Sequence, residues 1–206
     1  GPMRVTVPGC GTSSGVPMIG CTCPVCTSGE PRNQRRRCAI LIEHAGTTVL
    51  VDTPPELRLQ CLDAGVSRLD ALLYTHAHAD HVNGLDDLRA INFLMNRPID
   101  AFGDATVLER IRERFGYAFQ EPEPSRGWWR PALNPIVVDG PFRVGSLTFR
   151  PFEQCHGGLP SWGFRTGPFA YSPDVKELPQ ASLDELAGVE VWLVDCSADD
   201  QRARLT

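Results

Sequence analysis

Three of the chain's five histidines fall between His76 and His81, with Asp80 among them. Imidazoles and carboxylates are ligands for Zn²⁺, Mn²⁺ and Fe. His76 and His78 can aim at one point, and Asp80 and His81 at a second. A polar surface turn is the competing reading, and so dense a cluster counts against it. One loop rarely completes two metal sites, so further ligands must come from downstream. His156 follows a strand-like run and is the natural third imidazole beside His76 and His78. Asp174 follows another, and a carboxylate there can bridge two metals.

Cys21-Thr22-Cys23-Pro24-Val25-Cys26 forms a second cluster. Disulfides inside so short a loop would be strained. The eight cysteines come with no secretory signal that would place them in an oxidising compartment. Thiolate ligation is the better account: Cys21, Cys23 and Cys26 supply three ligands, and a structural zinc wants four. The fourth is left open between Cys10, Cys38, His44 and a residue beyond the end of the chain. Cys38, Cys61 and Cys196 sit in apolar segments and read as small core residues.

The elements that must position these groups can be read from the pattern. The apolar run Leu69 to Tyr74 has the composition of a buried strand, so the histidines lie on the loop at its C-terminal end. Met3 to Pro8 reads as a first strand. Cys38 to Glu43 and Thr47 to Asp52 read as a hairpin around Ala45-Gly46. A helix is predicted over Pro55 to Ala64, with Asp52 a candidate cap, and helical spacing runs from Leu85 to Met95 and from Ala105 to Phe115. Pro98 to Phe102, Pro141 to Pro151, Trp162 to Arg165, Phe169 to Tyr171 and Val189 to Val194 supply further strands. Ser182 to Ala187 is predicted as a short helix with Ser182 as N-cap and Glu185 closing a capping box.

Three features stay open at this level. Gly9 to Gly15 is a small-residue loop, either a plain turn or a loop near the metals with amides available to a phosphate. It lacks the Gly-Lys-Ser/Thr of a nucleotide P-loop. Arg32, Arg35, Arg36 and Arg37 form either a solvated face or a phosphate grip. Trp128 and Trp129 lie in a proline-rich stretch and read equally as a substrate lid, a partner contact or core packing.

Composition is that of one globular domain, with 42% hydrophobic and 22% charged residues. A net charge of −5 argues against bulk nucleic-acid binding. No apolar run approaches the roughly 20 residues of a bilayer span. The expected setting is cytoplasmic, with no membrane partner. Gly1-Pro2 before Met3 reads as an expression-tag scar, leaving residues 3–206 as a single domain.

His-x-His-x-Asp-His is the hallmark of the metallo-β-lactamase superfamily, which this sequence resembles from Met3 to its end. The resemblance extends through Gly9 to Pro17, the Cys-x-Cys-x-x-Cys loop, Asp52-Thr53-Pro54, His156-Gly157 and Ser172-Pro173-Asp174-Val175. Together these look like the phosphodiesterase branch, close to the phosphoribosyl 1,2-cyclic phosphate phosphodiesterases. The tRNA 3′-processing endonucleases and the PqqB proteins are more distant.

The resemblance implies an α/β (α+β) fold, a four-layer αββα sandwich with metals at one edge. It implies two active-site divalent metals, Zn or Mn, and one structural Zn at Cys21, Cys23 and Cys26. His76, His78 and His156 would hold the first metal, Asp80 and His81 the second, and Asp174 would bridge. Asp52 would support the ligands from behind, and Asp80 or Asp174 would take the proton of the attacking water. Relatives carry a further C-terminal strand and helix with ligating histidines. No histidine follows His156 here, so the domain reads as truncated at its C-terminus, with weakened activity. The implied function is metal-dependent hydrolysis of a small cyclic phosphate or nucleotide diester, with a homodimer as the expected assembly. Thioester or lactone hydrolysis on the same fold, or a non-catalytic PqqB-like metal-binding protein, are the alternatives.

Overall fold

The computed structural model describes residues 1–156, 158–175 and 177–195; the side chains of Pro124, His156 and Asp195 also lie outside the described set. Two sheets stack face to face. The first has strand order β1 (Arg4–Gly9), β2 (Ala39–His44), β3 (Thr47–Val51), β4 (Ala71–Leu73), β5 (Ile99–Gly103) and β6 (Leu133–Val137). Strands β1 to β3 pair antiparallel and β3 to β6 parallel. The second sheet contains β7 (Phe142–Val144), β8 (Leu147–His156), β9 (Leu159–Thr166), β10 (Phe169–Pro173) and β11 (Val191–Asp195). It is antiparallel apart from the parallel pair β10–β11.

Alternation along the strands explains why they read as unbroken apolar runs. In β2, Ile40 and Ile42 face the second sheet, while Ala39 and Leu41 face the helices. In and after β4, Ala71 and Leu73 point one way, and Leu72 and Tyr74 the other. Between the sheets these residues meet Phe149, Phe164, Phe169 and Tyr171, all buried. On its other face the first sheet is covered by α1 (Leu57–Ala64), α2 (Ala79–Val82), α3 (Arg89–Met95) and α4 (Ala105–Arg114). The anchors there include Leu57, Val82, Ile91, Val107 and Ile111. Helix α5 (Gln180–Glu185) packs on β8 of the second sheet, completing four αββα layers.

The α5 N-terminus departs from its predicted cap. The helix starts at Gln180 behind Pro179, and Ser182 lies inside it, buried. The Ser182 hydroxyl donates to Glu153 O of β8 at 2.6 Å. Docking the helix on the strand uses the group that a local capping box would have used. Asp52 likewise caps nothing: α1 begins two residues later than predicted, after Glu56. The run from Leu85 splits into a 3₁₀ turn, Leu85–Leu88, and α3. Among the described residues, no helix is long and apolar enough to cross a membrane.

Candidate metal centre

The histidine loop leaves the C-terminal end of β4, where parallel strands of an α/β sheet commonly open a crevice. Its backbone is tied down on both sides. Thr53 N–H donates to His81 O, Gly84 N–H to Thr53 O and Trp162 N–H to Thr75 O, at 2.9, 2.9 and 2.8 Å. Gly84 is required here, because a Cβ would lie 1.8 Å from Pro54 O. The Tyr74 hydroxyl donates to Thr53 Oγ1 at 2.9 Å, and Thr53 Oγ1 donates to Val82 O at 3.2 Å. Burial pushes the Tyr74 phenol up, which keeps it a neutral donor.

Asp52 sits beneath the loop, fully buried, at φ 66°. Its Oδ1 accepts from Thr75 N–H at 2.9 Å, and its Oδ2 accepts from Thr75 Oγ1 and His81 Nδ1, each at 2.6 Å. Asp52 therefore ties Thr75 and His81 together from beneath the loop and caps no helix. Among the described residues four non-glycine residues have positive φ, and two of them are Asp52 and Asp174. Such conformations cost on the order of 1–3 kcal/mol and cluster at functional sites.

Asp174 enters from the end of β10, in the other sheet. Its Oδ2 lies 3.2 Å from His76 Nε2 and 3.0 Å from His81 Nε2. Asp80 Oδ2 is 3.3 Å from His81 Nε2. The His76 ring centroid is 4.8 Å from that of His78 and 4.1 Å from that of His81. Ligand atoms within 4.8 Å of one another group as His76, His78 and Asp174, as Asp80, His81 and Asp174, and as Asp52, His76 and His81. Asp174 therefore belongs to both halves of the loop's ligand set. Buried Gln154 holds the strand end that presents it, its side-chain N–H donating to Pro173 O at 3.0 Å. His156 ends the β8 backbone; its side chain, proposed as the third imidazole, lies outside the described residues.

The electrostatics agree with an ion-binding cluster. Burial works against the charged form of each group here. For Asp174 the His76 and His81 imidazoles outweigh burial and hold the carboxyl far below the usual range. Asp80 is lowered in the same way, chiefly through His81. For His81, the carboxylates of Asp52, Asp174 and Asp80 overcome burial and raise the imidazole well above its ordinary value. Two carboxylates and three imidazoles converge with little solvent, and the donor set suits a hard-to-borderline divalent cation.

The cleft over His76 and His78 has a volume of about 820 Å³ and is walled by α4 and β9, with Thr106, Arg110, Arg114, Leu159 and Pro160 on its surface. Arg114 donates to Ala77 O, between the two histidines. Nothing in the sequence singled out α4, whose helical spacing gave a helix and no role at the site. Thr75 was also passed over. The Gly9 to Gly15 loop and the arginine cluster line a different cleft, of about 980 Å³. The glycines serve packing there: a Cβ at Gly9 or Gly11 would meet Arg37 O or Arg35 O at 2.1 or 2.6 Å. Arg36 pairs with Asp63 at 2.5 Å, and Arg37 pairs with Glu56. Trp129 is exposed and Arg130 beneath it is buried, tied to Tyr117 O and Glu121 O. Neither Trp128 nor Trp129 is among the residues lining the cleft over His76.

The three thiols of Cys21, Cys23 and Cys26 lie within 4.8 Å of one another. Met18 N–H and Cys26 N–H point at Cys26 Sγ and Cys23 Sγ, each at 3.4 Å. The Cys26 amide, with the neighbouring thiols, brings Cys23 down to about 7. Among the described residues no fourth Cys, His, Asp or Glu joins this group. Cys38 is buried and donates to Gly11 O, and His44 pairs with Ser146 Oγ at 2.8 Å.

A sandwich of this topology, with a histidine-aspartate loop at one edge, defines the metallo-β-lactamase fold. The family model described as Beta-lactamase superfamily domain matches residues 47–205, and the chain belongs to that superfamily. The chain is similar to a crystal structure described as a new diphosphatase from the PhnP family. The two are 32% identical with a TM-score of 0.83, over 93% of this chain and 73% of that one. Zn²⁺-bound PqqB from Methylobacterium extorquens shares the fold, at 18% identity and a TM-score of 0.70, over 94% of this chain and 72% of that one. A protein named octanoyltransferase from Porphyromonas gingivalis is 38% identical over 94% of this chain and 39% of its own length. The chain spans between 21% and 46% of the curated relatives it matches.

Proposed function

We propose that this chain is a metal-dependent phosphodiesterase acting on a small phosphorylated substrate, a cyclic phosphate or a nucleotide diester or diphosphate. The observation that carries the reading is Asp174. One of its oxygens stands 3.2 Å from His76 and 3.0 Å from His81, so Asp174 would serve both halves of the site if each held a metal. His76 and His78 would hold one ion, with His156 as a further ligand; Asp80 and His81 would hold the other. A metal pair in such a site supplies an acidified water as nucleophile and neutralises charge on phosphoryl oxygens. Similarity to a diphosphatase supports phosphorus as the centre attacked.

The protein's own groups then divide the work. Asp174, stabilised as an anion by two imidazoles, contributes charge. Asp80, which contacts one of those imidazoles, would accept the proton of the attacking water. Arg114, and Arg110 one turn before it, offer guanidinium donors to the non-reacting oxygens. Cys21, Cys23 and Cys26 would hold a structural zinc in the loop that connects β1 to β2.

The match to a protein named for octanoyl transfer favours a second reading, hydrolysis of an acyl thioester by the same centre. Parallel assays on bis(p-nitrophenyl) phosphate and an octanoyl thioester, with Zn²⁺ or Mn²⁺ supplied, separate the two. The main reading expects diester turnover that falls at least 100-fold in Asp174→Ala and His78→Ala. Thioester turnover alone would transfer the assignment, and diester activity near wild type in either variant would remove it.

A further inference from the structure

We infer that Thr75 is a positioning residue that sets the His76 tautomer, so that a single buried carboxylate, Asp52, prepares imidazoles in both halves of the metal centre. The inference rests on the metal-centre reading above and adds to it a residue and a proton count. A threonine hydroxyl has one hydrogen to donate and lone pairs to accept with. Thr75 is fully buried. Its Oγ1 lies 2.6 Å from Asp52 Oδ2, and an ionised carboxylate only accepts, so the hydroxyl hydrogen is committed there. The same Oγ1 lies 2.9 Å from His76 Nδ1. Only lone pairs remain on that side, so Nδ1 must carry the hydrogen and donate it. In the neutral ring the bare nitrogen is then Nε2, the atom facing Asp174.

The parallel path is direct. His81 Nδ1 donates to the same Asp52 Oδ2 at 2.6 Å, which leaves its Nε2 toward Asp80 and Asp174. Which nitrogen of a ligating histidine is bare depends on the bond made by the other. The Thr75 backbone is held at both ends, its N–H on Asp52 Oδ1 at 2.9 Å and its carbonyl by Trp162 N–H at 2.8 Å, and the buried side chain sets Oγ1 between Asp52 and His76. Serine keeps this relay, and the near-isosteric valine removes it.

The test compares wild type, Thr75→Ser, Thr75→Val and Thr75→Ala by three readouts. These are the ring-nitrogen chemical shifts of His76 in chelated protein at a pH where the ring is neutral, Zn²⁺ affinity by chelator competition, and the thermal midpoint without metal. Wild type and Thr75→Ser should show His76 protonated at Nδ1. Thr75→Val should lose that preference and bind one Zn²⁺ roughly 10- to 100-fold more weakly, the usual effect of removing an outer partner of a ligand. Thr75→Ala serves the same comparison if the valine variant does not fold. A wild-type His76 protonated at Nε2, or a valine or alanine variant with unchanged tautomer and Zn²⁺ affinity, overturns the inference. Should wild type bind no Zn²⁺ at the histidines, the metal-centre reading fails, and the ring shifts of the chelated protein still decide the role of Thr75.

Discussion

Replacing Asp52 by alanine should destabilise the metal-free protein by about 4 kcal/mol. Asp52 is fully buried and accepts three hydrogen bonds, at 2.9, 2.6 and 2.6 Å. Its loss orphans the Thr75 amide, the Thr75 hydroxyl and the His81 ring N–H. Each buried orphan costs on the order of 1–3 kcal/mol, and removing one partner of a buried ion pair roughly 3–5 kcal/mol. These figures overlap for His81, and water entering the space relieves part of the cost, so about 4 kcal/mol is the value expected. At roughly 2–4 °C per kcal/mol for a domain of 150–250 residues, the thermal midpoint should fall by about 8–16 °C. The assay is calorimetry in excess chelator at pH 7, so that lost metal affinity does not enter the difference. Asp52→Asn keeps the volume and an acceptor for the Thr75 amide and should fall between wild type and alanine. A drop below about 3 °C for Asp52→Ala would refute the reasoning, since the carboxylate would then not be holding the loop.

Metal-free stability should depend on pH in a direction set by the same cluster. His81 is raised in the fold, so its contribution is complete below its unfolded value near 6.5 and is lost as pH climbs through the higher folded value. Asp174 and Asp80 are lowered, so theirs is present above about 3.9 and is lost on acidification. Denaturant midpoints of chelated protein should therefore decline on both sides of the interval from about pH 4 to 6.5, and a steady rise from pH 6 to 9 would contradict the arrangement. Cys23 lies at about 7 through the Cys26 amide and its neighbouring thiols, whereas burial takes Cys61 up to about 11. Iodoacetamide at pH 7.5 should modify Cys23 far faster than Cys61, and Zn²⁺ should protect it; peptide mass mapping reads both. Gly84→Ala forces a Cβ into Pro54 O at 1.8 Å. It should cost about 1–3 kcal/mol and weaken metal binding at Asp80 and His81, measurable by melting and Zn²⁺ titration.

Sequence alone carried the superfamily and most of the element list. The candidate ligand chemistry is local: four groups able to hold a metal lie within the six residues from His76 to His81, so their spacing announces them. Strands buried on both faces announce themselves as apolar runs, as in β2 to β4. Capping at α5 was misread because a buried hydroxyl chose a partner 29 residues away over its own helix end. The contacts of Asp52, Thr75 and Asp174 needed tertiary structure for the same reason. Asp52 meets His81 across 29 residues, Asp174 meets His76 from the opposite sheet, and Thr75 acts through a hydroxyl whose one hydrogen is assigned only when both neighbours are in place. Spacing along a chain reports which groups are available; which atom of each turns toward the others is decided by contacts between residues distant in sequence, Asp52 with Thr75 and His81 and Asp174 with His76.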